Sequence, residues 1–221
     1  MSFAIAIDGP AGAGKSSAAK KAAESLRFVY VDTGAMYRTI GLYMLENQVR
    51  VDEEEALKAA LDRIRIELKY EEGVQRMYLN GEDVSDRIRT PEVSEKASVV
   101  AAIPAVREKL LNLQRDMAAS QDVVMDGRDI GTNILPDAEL KIYLTASVEE
   151  RAKRRYQELI QKGEECSIED IQRDIADRDY RDMHRETAPL RQAEDAVYLD
   201  SSDMTLDEVA AEITCLAKER M

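Results

Sequence analysis

Gly9-Pro10-Ala11-Gly12-Ala13-Gly14-Lys15-Ser16 lies between a short apolar run, Phe3 to Ile7, and a helix-forming stretch that opens with Ser17-Ala18-Ala19-Lys20. Its spacing is G-x-x-x-x-G-K-S, a phosphate-binding loop. A triphosphate needs many donors converging on its oxygens. Glycines let backbone N–H groups point inward with no Cβ in the way. A helix starting at once adds its first free N–H groups and the positive end of its dipole. Lys15 is then expected at the β- and γ-phosphates and the Ser16 hydroxyl on Mg²⁺.

The rest of the chain must be consistent with that loop. At 221 residues it is long enough for one α/β domain with a smaller inserted lobe. The formal charge of −13 argues against non-specific contact with a nucleic-acid backbone, so local arginine clusters are informative. Cys166 and Cys215 lack metal-ligand spacing, and free thiols in a reducing compartment are expected. With neither a basic leader nor a long apolar run, neither signal peptide nor membrane span is expected, and the cytoplasm follows.

Further along, Phe28 to Val31 reads as a strand delivering Asp32-Thr33-Gly34-Ala35-Met36-Tyr37-Arg38 at its carboxyl end, where open α/β sheets bind ligands. Residues 52–62 read as a helix with an acidic first turn. The period then changes. Ile64 to Tyr70 alternates apolar with charged residues, Glu71-Glu72-Gly73 reads as a turn, Val74 to Leu79 as a second strand, and Asn80-Gly81 as a hairpin leading to Glu82-Asp83-Val84-Ser85. Two helices follow, Val93–Ala101 and Val106–Ala119, divided at Pro104. Strands are expected at Gln121–Asp126, Leu140–Leu144 and Ala196–Asp200. A charged helical region runs over 151–185 with a break near Lys162-Gly163, and a last helix opens on the capping box Thr205 to Glu208. Five strands alternating with helices predict a parallel five-stranded sheet flanked by helices, with a small inserted antiparallel β lobe.

Counting the loop, three features carry chemistry. Asp126 ends the apolar run Val123-Val124-Met125, where a carboxylate can hold Mg²⁺ directly or through water. A strand-end turn aspartate is the plainer alternative, but Arg128 and Asp129 add charges that a turn does not need. The third is arginine density: Arg151, Arg154 and Arg155 at spacings of three and four are expected to share a face, as are Arg178, Arg181 and Arg185. Such runs are usually solvated, yet phosphoryl transfer asks for guanidinium donors around a spreading negative charge. His184, the one histidine, reads as incidental.

Taken together, Ile7 to Ser16, Asp32 to Arg38, Gly81 to Ser85, Arg89-Thr90-Pro91-Glu92-Val93, Asp126 to Thr132, Arg178-Asp179-x-Arg181-Asp182 and Ala188-Pro189-Leu190 resemble the bacterial cytidylate kinases, P-loop nucleoside monophosphate kinases, over essentially the whole chain. The resemblance implies the P-loop NTP hydrolase type of fold with a core at 1–34, 105–150 and 186–221, a monophosphate-binding lobe at about 35–104 and a short helical lid at about 151–185. It implies ATP-dependent phosphorylation of CMP, and of dCMP, with Mg²⁺, by a cytoplasmic monomer with no nucleic-acid or membrane partner.

Residue by residue, the resemblance places Gly9 to Ser17 on ATP, and Ser16 and Asp126 on the metal. Thr33, Tyr37 and Arg38 fall on the CMP side, Arg38 at its phosphate with Arg128 and Arg185. Ser98 and Arg107 look like the cytosine-reading pair with Asp129 nearby, and Arg178 and Asp182 like the pentose contacts. Lys15, Arg128, Arg151, Arg155 and Arg185 are the implied catalytic set. Two other readings compete: a different small-molecule P-loop kinase, which a substrate panel separates, and a nucleotide switch. A guanine-reading switch needs N-K-x-D, and no Asn here precedes Lys.

Overall fold

The computed structural model describes residues 2–71, 74–161 and 163–221. It divides into two compact units, one formed by residues 1–31 and 117–221 and the other by residues 32–116.

The first unit is built on a five-stranded parallel sheet in the order β2 (Val29–Asp32), β6 (Val123–Gly127), β1 (Ala4–Asp8), β7 (Leu140–Thr145), β8 (Val197–Asp200). The chain therefore leaves its central strand directly into the phosphate-binding loop. Register brings three carboxyl-terminal positions into one row, Asp8 lying opposite Gly127 on β6 and Tyr143 on β7. All five residues of β1 are buried, as a central parallel strand covered on both faces requires. Helix α1 (Lys15–Leu26) presents Ala18, Ala19, Ala22 and Ala23 to a core that includes Ile5, Ile142, and Ile213 of helix α8 (Leu206–Lys218). Small residues there let the helix lie close to the sheet. The capping box at the start of α8 is present, Thr205 and Glu208 bonding reciprocally.

The charged region resolves into helices α6 (Val148–Gln161) and α7 (Ile168–His184). Gly163 has φ +77°, a left-handed turn that suits glycine, and Ser167 caps α7 by accepting the Asp170 N–H. Lys162, part of the expected break, lies outside the described residues. Two short helical turns have no counterpart in the sequence reading: a 3-10 turn at Arg87–Arg89 in the second unit, and here a single π-helical turn at residues 130–134 directly after Arg128 and Asp129.

In the second unit, helix α2 (Thr33–Glu46) packs on helix α4 (Pro91–Val100) so closely that a Cβ on Gly41 would stand 3.1 Å from the Ala97 nitrogen. Pro91 sits at the first turn of α4 behind the Thr90 cap, so this helix starts earlier than the Val93 expected. Helix α3 (Glu54–Arg63) leads to the antiparallel sheet of β3 (Ile66–Glu71), β4 (Val74–Leu79) and β5 (Glu82–Asp83). Asn80 and Gly81 both have positive φ, +53° and +89°, the geometry of a two-residue hairpin whose twist matches its strands. The turn expected at Glu71-Glu72-Gly73 falls on positions 72 and 73, outside the described residues. Strand β5 is shorter than the run to Ser85 because the Ser85 hydroxyl accepts the Met77 N–H, replacing a ladder bond by a side-chain bond. Helix α5 (Pro104–Ser120) runs from this unit into the first.

Candidate active site

The loop between β1 and α1 has the conformation its glycines allow. Gly12 and Gly14 adopt φ +75° and +82°. Gly9 stands so close to β7 that a Cβ there would lie 1.9 Å from the Leu144 carbonyl oxygen. Gly14 caps α1 without a side-chain bond, and the first turn of α1 carries no acidic residue, so its N–H groups face no competing carboxylate of their own turn. Lys15 is buried and donates to the Pro10 carbonyl at 2.7 Å, while Ser16 and Ser17 are exposed on the same turn.

At the end of β6, Asp126 is buried and binds two hydroxyls, the Ser16 Oγ at 2.8 Å through Oδ2 and the Tyr30 hydroxyl at 2.9 Å through Oδ1. The two residues expected at a metal are thus adjacent. Their donors are all oxygens, the hard ligands that Mg²⁺ takes. Among the described residues no group of three or more His, Cys, Asp and Glu side chains is placed to hold a metal ion. A pair of protein oxygens is nonetheless the usual share for a Mg²⁺ that completes its shell with water and phosphate.

Beside them lies a cluster of cations and carboxylates. The Arg128 Nε donates to Asp182 Oδ2 at 2.8 Å, and Arg185 Nη2 lies 3.2 Å from Asp129 Oδ1. Arg185 also donates through Nε to the Ala188 carbonyl at 2.8 Å. Burial raises the Asp182 carboxyl, but Arg128, Arg178 and Arg185 together outweigh it and hold the group below the usual aspartate range. Lys15 moves the other way. Burial, and then the charge of Arg128, press its ammonium well below the ordinary lysine value against the opposite pull of Asp126 and Asp8. Arg128 and Arg178 are therefore close enough to repel Lys15, an arrangement that an anion bound among them would relieve.

The arginines of α6 do not share one environment. Arg151 is buried: Nε donates to the Ala146 carbonyl at 2.9 Å, and Nη1 reaches the Ala11 carbonyl at 2.8 Å and Asp179 Oδ2 at 2.6 Å. Asp179 in turn accepts the Ala11 N–H at 3.4 Å, so this pair grips both polar groups of one loop residue. Arg154 bonds Ser201, and Arg155 points to solvent with Glu158 at 2.8 Å. On α7 the expected common face also divides, since Arg181 is exposed and donates to its own helix at the Asp177 carbonyl. Helical spacing placed these side chains as neighbours; the packing of α6 and α7 on the loop separated their tasks. Asp8, Asp179 and Tyr30 are site residues that motif spacing did not single out. Asp8 had one signal, its place immediately before the first glycine of the loop.

In the second unit, Asp32 caps α2 by accepting the Ala35 N–H and pairs through Oδ2 with Arg38 Nη2 at 2.8 Å. Arg38 lies over Gly34, where a Cβ would come within 3.0 Å of Nη1. Thr33 and Tyr37 are buried on the same helix. The Arg107 guanidinium, buried at the start of α5, stands 5.8 Å from the Tyr37 ring centroid and donates to the Ala101 carbonyl at 3.2 Å. Ser98 is half-buried on α4. Arg107, one of the expected cytosine-reading pair, and Tyr37, expected on the CMP side, are thus brought together within this unit.

The cytidylate kinase family model matches residues 5–219. The chain belongs to that family. It is 50% identical over 98% of its length to a cytidylate kinase of Lactobacillus johnsonii, covering 94% of that protein. It is 52% identical over 98% of its length to one of Streptococcus pneumoniae, covering 98% of that protein. Among solved structures, an uncharacterized protein from Eubacterium ventriosum superposes with a TM-score of 0.53 at 17% identity, covering 100% of both chains, a likeness of fold. As a cytidylate kinase family member, the chain carries its phosphate-binding loop and Arg128-Asp129 at the carboxyl ends of the neighbouring strands β1 and β6, the arrangement that a phosphotransferase needs.

Proposed function

We propose that this cytidylate kinase family member moves the γ-phosphoryl group of ATP to CMP, forming CDP and ADP, and accepts dCMP in the same way. The observation that carries this reading is the convergence of Lys15, Arg128, Arg178 and Arg185 with Asp129 and Asp182 beside the phosphate-binding loop. An oxygen of the CMP phosphate attacks the γ-phosphorus in line as the bond to the ADP oxygen breaks. Both reactants are anions, so cations must offset their repulsion before positioning can help. The phosphate nucleophile is already ionised at neutral pH, and no general base is needed.

In this reading Gly9 to Ser17 bind the ATP phosphates, with Lys15 on the transferring group. Arg38, Arg128 and Arg185 hold the CMP phosphate, Arg178 and Asp182 the pentose, and Ser98, Arg107 and Asp129 the cytosine edge, with Thr33 and Tyr37 lining the CMP side. Arg151 and Arg155 belong to a lid at about residues 151–185, and residues at about 35–104 form the acceptor lobe. Ser16 and Asp126 would hold Mg²⁺, which when bound neutralises phosphate charge and orients the oxygens of the β- and γ-phosphates. ATP as donor and two free thiols, Cys166 and Cys215, support a cytoplasmic location. No helix among the described residues is long and apolar enough to cross a membrane. A monomer is the simplest assembly, since one chain supplies every proposed group.

Coupled measurement of ADP release with CMP, dCMP, UMP and AMP as acceptors tests the reading, with CMP and dCMP expected to lead. Preference for AMP, or no acceptor-dependent ADP release, would sink it. Asp182→Ala is expected to lower kcat/KM for CMP about tenfold, the scale of a lost charge-assisted hydrogen bond, with KM for ATP nearly unchanged. Equal losses for both substrates would make Asp182 structural.

A further inference from the structure

Asp8 ends β1 one residue before the loop and is 4% exposed. Its two oxygens accept two successive backbone donors, Oδ1 the Ile130 N–H and Oδ2 the Gly131 N–H, each at 2.8 Å. Those donors open the π-helical turn that follows Arg128 and Asp129, and Asp129 offers it no side-chain cap of its own. The carboxylate therefore caps this turn from a position 122 residues away in the chain. Little lateral freedom remains. A Cβ on Gly131 would lie 3.2 Å from the Lys141 side chain and 3.5 Å from Asp8 Oδ2. Lys141 is itself buried and held by both oxygens of Asp195, at 2.9 and 2.8 Å.

We propose that Asp8 is a positioning residue for the acceptor side of the reaction: from the root of the phosphate-binding loop it holds the 128–131 turn so that Arg128 and Asp129 meet the nucleoside monophosphate. The inference rests on the CMP kinase reading above. The ionised carboxylate accepts both amides at full strength, whereas protonation makes one oxygen a weaker acceptor and an amide replaces it with an NH2 that cannot accept. Charge-assisted bonds of this kind are roughly twice as strong as neutral ones. The charged and titratable groups that face Asp8 are Asp129 and Lys15, with Tyr143 and Lys141 on the neighbouring strand β7. Burial is the largest influence and pushes the carboxyl up to about 6, so the charge-assisted two-amide grip is complete at pH 8 and weakened at pH 5.

The test compares wild type with Asp8→Asn from pH 5 to pH 8, measuring kcat/KM for CMP at saturating ATP and KM for ATP at saturating CMP. Titration of the CMP phosphate affects both proteins equally and cancels in their ratio. At pH 8 the variant is expected to lose about tenfold in kcat/KM for CMP while its KM for ATP stays within about twofold. The ratio is expected to close to within about twofold at pH 5, where the wild-type carboxyl is neutral too. A ratio that does not vary with pH, or an equal rise in KM for ATP, overturns the proposal. If the variant does not fold, the wild-type Ile130 and Gly131 amide resonances decide: they are expected to titrate together with a midpoint near pH 6, and resonances that stay fixed overturn it. Absence of CMP turnover by wild type would instead strike the function reading, whereas turnover with a pH-independent ratio strikes the role of Asp8 alone.

Discussion

Single side chains at this site are legible where chemistry demands one residue type at one place. Lys15 is such a residue, and Lys15→Ala is expected to lower kcat about a hundredfold or more, the usual loss for one donor aimed at developing charge. CMP affinity should change little; steady-state kinetics with equilibrium CMP binding checks both. Asp8 makes a second prediction, on stability. Its carboxyl stands at about 6 in the folded protein against 3.8 in the open chain, because burial outweighs the two amide bonds. Since the folded state then holds this proton more tightly, the contribution of Asp8 to stability is greatest below pH 4 and falls as pH rises toward 7, by about 3 kcal/mol. Wild type should therefore gain stability relative to Asp8→Asn on acidification from pH 7 to pH 4, measured by urea unfolding. A constant difference would mean that the group is not raised. The same residue thus costs stability at the pH where its grip on the 128–131 turn is complete.

At the scale of elements, helix α6 shows what periodicity can and cannot say. Arg151 and Arg155, one helical turn apart, look equivalent in sequence, yet one is 4% exposed and locked to Ala11 and Asp179, and the other is exposed beside Glu158. Removing one partner of a buried, fully bonded pair leaves an uncompensated charge, so Arg151→Ala is expected to cost about 3–5 kcal/mol of folding stability. Arg155→Ala should cost no more than about 0.5 kcal/mol, as for exposed helical pairs. Urea denaturation of the two variants measures the contrast, and similar losses would refute the assignment of Arg151 as a brace of the loop. Strands and hairpins were legible more directly. Alternation over Ile64 to Tyr70, the run Val74 to Leu79 and the Asn80-Gly81 pair marked the antiparallel sheet, because a period of two and two left-handed residues are local properties. The π-helical turn at Ile130 to Ile134 was not legible, since the carboxylate that caps it belongs to another strand.

For the whole molecule, a net charge of −13 sets the outward behaviour. Positive charge is concentrated locally, at Lys15, Arg128, Arg178 and Arg185 on the first unit, within an acidic chain. No shift of duplex DNA is expected in a gel assay at 150 mM salt, a physiological condition at which binding would require an extended basic surface; a clear shift would contradict the reading that the net charge of −13 keeps the chain off a nucleic-acid backbone. By itself the sequence determined the phosphate-binding loop, the alternation of strands with helices, the inserted antiparallel sheet and the residue set that marks the family. All of these are written in spacings of a few residues, and covalent geometry turns such spacings into structure almost regardless of context. Only the tertiary structure decided which of the charged residues grip the backbone of the phosphate-binding loop and of the 128–131 turn. Asp179 reaches Ala11 across 168 residues and Asp8 reaches Gly131 across 123. Contacts at such separations depend on where the sheet register places strand ends and on which charges are buried, and neither is encoded in local periodicity.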